Sequence, residues 1–201
     1  MEAEGAMTAL EALELTAQVS AALRKIGVVG AQNAAAALSQ LTGQEITVTM
    51  PTAFMVPLIE LPSLYPPAAL EELAVAVYVP FEGDTAGSLA LLLRDDQPQT
   101  ILSLMGVPAE GPEFDELGVS ALREVGNIVA SAYLNALADL AGMTILPAPP
   151  GLAQETIAAI LGAIASQAML HDEYSLVVQV HMSSPDHRIA PEMMLLPRPA
   201  S

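Results

Sequence analysis

The sequence has no cysteine and no tryptophan, and only 3% of its 201 residues are aromatic. Without cysteine there is no disulfide, no thiol nucleophile and no thiolate metal site. Positive charge is also scarce. Six Lys plus Arg stand against 23 Asp plus Glu, a formal net charge of −17. So few cations argue against nucleic acid as a partner, because nothing is available to neutralise a phosphate backbone, and against anionic lipid for the same reason. Long membrane-type runs are missing too: the best, Ile157 to Leu170, is too short and carries Ser166 and Gln167. The N-terminus opens on Glu2 and Glu4 rather than on a basic segment and an apolar stretch, so no secretory leader is read there. A cytoplasmic protein with no membrane contact is the expectation.

What the chain does have is aliphatic bulk. Hydrophobic residues are 53% of it, mostly Ala, Leu, Val, Ile and Met. That separates it from acidic disordered chains, which lack the residues to build a core, and it favours helices packed closely on a sheet.

The chain also repeats itself. At an offset of 99 residues, Ala22 to Ile46 matches Ala121 to Ile145 at ten of 25 positions without a gap, only three of them Ala. The matches include Leu23/Leu122, Arg24/Arg123, Gly27/Gly126, Leu38/Leu137, Leu41/Leu140 and Gly43/Gly142. Both copies read as a long helix. In the second, Leu117, Leu122, Val125, Ile128, Leu134, Leu137 and Leu140 form one apolar stripe. Asp115 or Glu113 starts that helix, and Gly43 and Gly142 sit where a left-handed C-terminal cap belongs.

Strand-like segments follow each helix, at Ile46 to Thr49 and Thr144 to Leu146. Further on come Leu73 to Phe81, Gly87 to Leu93, Tyr174 to Met182 and Met193 to Leu196. Helices are expected at about 97–105 and 152–170. The predicted fold class is α/β (α+β): an internally duplicated, pseudo-two-fold single domain over 1–201, with long helices packed on one face of a mainly antiparallel sheet. Its halves are about 8–105 and 113–196. A monomer suffices for such a design.

The repeat isolates its own exceptions. Glu124 and Asn127 stand where the first copy has Lys25 and Val28. Residues three and four apart share a helix face, so Ser120, Glu124 and Asn127 project together. Gly126, between the last two, lets a neighbour approach closely. A carboxylate can anchor a cation on a partner. A carboxamide has both donor and acceptor and can orient a water without taking its proton. Holding a water in line with an electrophilic phosphorus is catalysis by positioning. On the residues alone, a solvated helix face is the competing reading, and helix packing accounts equally for Gly126.

Phe114 to Leu140 (FDELGVSALREVGNIVASAYLNALADL) resembles the signature helix of the CheC family, the CheC, CheX and FliY-type phosphatases of bacterial and archaeal chemotaxis. The family motif is Ser or Asp, three residues, Glu, two residues, Asn. It falls here on Ser120, Glu124 and Asn127, with Arg123 and Gly126 as supporting neighbours. The resemblance implies a phosphatase of the phosphorylated response regulator CheY, with Glu124 engaging the regulator's lysine and Asn127 orienting the attacking water. It implies no cofactor of the chain's own, the Mg²⁺ belonging to the regulator. The first half departs from the pattern: Ala21, Lys25 and Val28 occupy the motif positions. Val28 cannot orient water and Lys25 reverses the charge, so one active site is expected and the first helix is read as a structural partner.

Two other readings stay open. One is a non-catalytic adaptor that binds or sequesters a response regulator or the receptor deamidase CheD. The other is a flagellar-switch component of FliY type, for whose extra segments 201 residues leave little room. Elsewhere, His171, His181 and His187 lack metal-ligand spacing, and Ser39, Ser131 and Ser166 have no base near in sequence. No metal site is expected. The ten methionines are expected to fill core.

Overall fold

Two strands, β3 (Leu73–Gly83) and β4 (Gly87–Arg94), are buried along most of their length on both sides. Their near-continuous apolar runs have this cause: the sheet they belong to is covered on both faces. The computed structural model describes residues 27–109, 111 and 113–198. It begins with α1 (27–42), followed by β1 (Thr47–Val48), β2 (Thr52–Pro57), a 3₁₀ segment (Leu58–Leu64) and α2 (Pro67–Leu70). After β3 and β4 come α3 (Gln97–Leu104) and α4 (Glu116–Ala141). Then follow β5 (Ile145–Pro147), β6 (Gly151–Thr156), α5 (Ile157–Ala168), β7 (Tyr174–Ser183) and β8 (Glu192–Pro197).

The eight strands form one antiparallel sheet in the order β1-β7-β8-β4-β3-β5, with β2 also pairing β7 and β6 also pairing β3. The centre is the β4–β8 pair, in register at Ala90 and Met194. The short strands that follow each long helix cross over: β1 and β2 pair with β7, and β5 and β6 pair with β3. Neither half of the chain therefore completes its own edge of the sheet.

Strand alternation sorts the core into two layers. Val75, Val77, Val79, Leu91, Leu93, Val178, Val180 and Leu195 face the long helices, meeting Ala31, Ala34 and Leu38 of α1 and Leu122, Val125 and Val129 of α4. Ala74, Ala76, Ala90, Leu92, Val177 and Met194 face the other way, against Ile157, Ile160, Leu161 and Ile164 of α5 and Leu58 and Leu61 of the 3₁₀ segment. The helix expected over about 152–170 starts only at Ile157. Residues 151–156 form β6 instead, because the free edge of β3 takes them in register from Leu73–Thr156 to Tyr78–Gly151. Thr156 then caps α5, its Oγ1 accepting from Ala159 N at 3.2 Å. Strand β2 and the 3₁₀ turn were not foreseen in the sequence pattern. Among the described residues, no helix is long and apolar enough to cross a membrane.

Candidate functional site

Helix α4 is well framed at both ends. Asp115 is its N-cap, its Oδ1 accepting from Gly118 N at 2.8 Å. Gly142 ends it in the left-handed region at φ 62°, its N–H donating to the Ala138 carbonyl. Between them, Leu122, Val125, Val129 and Tyr133 are fully buried against the sheet and its neighbours. Gly126 makes the closest approach. A Cβ there would lie 2.3 Å from Val77 Cγ1 and 2.6 Å from Val77 Cβ, on β3. Only glycine lets the helix backbone sit this close to the strand.

At about 100° per residue, seating Gly126 on the sheet turns Glu124 nearly to the opposite side. Ser120, Arg123 and Glu124 are exposed and Asn127 is half-buried. Spaced four and three apart, Ser120, Glu124 and Asn127 make one outward stripe. Among the described residues, none of these side chains forms a hydrogen bond or an ion pair. The carboxylate and the carboxamide are thus presented on an outward helix face with their hydrogen-bonding capacity unspent.

Of the first-half motif positions, Val28 lies half-buried on α1, and Ala21 and Lys25 lie outside the described residues. Leu117 departs from expectation. It was placed in the buried stripe, yet it is 57% exposed. Five residues before Leu122, it is turned by about 140° from that buried position and falls on the outward face. Leu140, also assigned to the stripe, is 53% exposed near the C-terminal end of the helix.

The histidines are dispersed. Arg198 Nη1 donates to His171 Nε2 at 3.2 Å, and His181 lies 3.9 Å from Glu192. His187 Nδ1, in the β7–β8 loop, lies 2.8 Å from Ser183 Oγ at the end of β7. The Ser183 hydroxyl also donates to the Ser184 carbonyl at 2.9 Å. Asp186 accepts from Ser184 Oγ at 2.6 Å, and that bond, with the Arg188 N–H, holds its carboxyl below the ordinary range. Among the described residues, no group of three or more His, Asp or Glu side chains could hold a metal ion.

A second polar cluster lies on the α5 side of the sheet. Glu192, only 4% exposed, accepts from both Tyr65 and Gln179. It locks the 3₁₀ segment to the β7–β8 pair, and nothing in the local sequence marks it.

The CheC-like family model matches residues 117–153, which includes Ser120, Glu124 and Asn127. The CheY-P phosphatase CheC of Bacillus subtilis is 29% identical over 181 residues, covering 87% of this chain and 86% of that one. Over residues 117–153 the chain is similar to CheC-like proteins. The fold agrees. FliY of Thermotoga maritima superposes with a TM-score of 0.68 at 22% identity, over 88% of each chain. A CheX–CheY–BeF3–Mg²⁺ complex from Borrelia burgdorferi matches with a TM-score of 0.56 at 19% identity, over 86% of this chain and 98% of that one.

Proposed function

We propose that this chain hydrolyses the aspartyl phosphate of a CheY-type response regulator, through one site formed by Glu124 and Asn127. The observation that carries the reading is the outward, unpartnered placement of the pair. Glu124 and Asn127 stand on an outward helix face with free hydrogen-bonding groups, so the electrophile has to be brought by a partner into whose active site the helix enters. Water attacks the phosphorus, the bond from phosphorus to the aspartyl oxygen breaks, and inorganic phosphate and a free carboxylate result. Asn127 holds that water in line, and Glu124 anchors on a regulator cation. The Mg²⁺ this chemistry uses is the regulator's, where it offsets charge on the phosphoryl oxygens.

Two similarities support the reading: a curated relative that carries the name CheY-P phosphatase, and a fold shared with a CheX bound to CheY. Val28 at the matched position of α1 has no group able to orient water, which supports a single site. The test is phosphate release from phosphorylated CheY and Mg²⁺, with and without the chain. Acceleration that disappears in Glu124→Ala/Asn127→Ala, with an unchanged melting temperature, is the expected result. Decay no faster than that of CheY alone at saturating protein overturns the proposal. Binding without acceleration would leave an adaptor.

A further inference from the structure

The fold leaves Leu117 without an internal task. It sits in the first turn of α4 at 57% exposure, while the apolar residues that seat this helix, Leu122, Val125, Val129 and Leu134, are fully buried. A single exposed leucine is ordinary on a protein surface. Its placement is what matters. Leu117 precedes Ser120 by three residues, Glu124 by seven and Asn127 by ten, so on a helix of 3.6 residues per turn all four lie along one outward stripe. The stripe has an apolar head, a hydroxyl, a carboxylate and a carboxamide, in that order. The helix beneath it is held rigid by the Asp115 cap and by the contact of Gly126 with Val77.

From this we infer that Leu117 is a docking residue for the same partner. It is buried against an apolar surface of the phosphorylated regulator beside that protein's active site when Glu124 and Asn127 enter. The inference rests on the proposed function and adds to it an apolar anchor that sets affinity and partner choice. A regulator with a charged or polar rim at that place is a poor substrate. Leu117 is remote from the reacting atoms, so it contributes equally to ground-state and transition-state binding. Its loss is therefore read in KM and not in kcat.

Three variants and two measurements test this: steady-state dephosphorylation of CheY-phosphate, and direct titration with CheY activated by beryllofluoride and Mg²⁺. Leu117→Ser is expected to raise KM and the dissociation constant roughly tenfold, at the scale of one leucine withdrawn from an apolar contact, with kcat within about twofold. Leu117→Met keeps the apolar contact and retains wild-type affinity. Asn127→Ala shows the opposite split, with kcat lost and binding kept. Unchanged affinity in Leu117→Ser, or a fall in kcat alone, overturns the inference while the phosphatase reading stands. If the chain binds activated CheY through Leu117 without accelerating hydrolysis, the docking inference holds and the catalytic reading falls. If the wild-type chain neither binds nor accelerates, both fall.

Discussion

Gly27 and Gly126 are matched positions of the sequence repeat, and each sits over a valine of a long strand in the same sheet. They are seated differently. A Cβ at Gly126 would come within 2.3 Å of Val77 Cγ1, whereas one at Gly27 would meet Val178 Cγ1, Pro51 Cβ and the Tyr133 hydroxyl at ordinary distances of 3.5 Å. The helix that carries Glu124 and Asn127 is pressed onto its strand, and the helix with Val28 is held more loosely there. Its tight contact comes one turn later, where a Cβ at Gly30 would lie 2.9 Å from the Tyr133 ring. So α4 is positioned by the sheet, and α1 is positioned in part by α4. A glycine retained in both copies serves one geometry strictly and the other only permissively.

The largest effect should separate the helices by chemistry. Asn127→Ala is expected to lower the dephosphorylation rate about 10²–10³-fold, as losing one oriented hydrogen-bonding group does, with the melting temperature unchanged. Packing should separate them next. Gly126→Ala is expected to lose about 1–3 kcal/mol, because Val77 Cβ is fixed to the strand backbone and cannot step aside. Gly27→Ala should be neutral, or more stable by up to about 1 kcal/mol, from its better helix propensity. Urea midpoints at constant slope measure both, and equal losses would break the comparison.

A smaller difference appears in alkali. Burial raises Tyr133, on the seam of the two helices, above its ordinary 10.0. Burial first, and then the Glu192 carboxylate, raises Tyr65 on the opposite face. The unfolded chain releases these protons near pH 10 while the folded chain keeps them, so stability is level below about pH 10 and falls above it. Tyr133→Phe and Tyr65→Phe should each flatten that fall in urea midpoints taken from pH 8 to 11. The smallest effect belongs to the first helix. Lys25→Ala/Val28→Ala should leave the dephosphorylation rate within about twofold, and a loss near that of Asn127→Ala would place a second site on α1.

Much of the architecture was legible from local pattern. The cap at Asp115, one of two candidates beside Glu113, the left-handed Gly43 and Gly142 at φ 66° and 62°, and the strands β3, β4, β7 and β8 follow from residue chemistry and period. Strands β2 and β6 were not legible. Both carry mostly exposed or half-buried side chains, so what makes them strands is the hydrogen-bonding edge that β7 and β3 offer. The candidate site is marked in the sequence by the repeat, which contrasts Glu124 and Asn127 with Lys25 and Val28. The exposure of Leu117 was not, since a leucine near a helix start reads as core until the helix is rotated into place.

Local order thus fixed which helix could carry a carboxylate and a carboxamide on one face, because three- and four-residue spacing is a property of any α-helix. Only tertiary packing decided which way that face points. The approach of Gly126 to Val77 sets the rotation of α4, and no neighbour in sequence records where β3 lies.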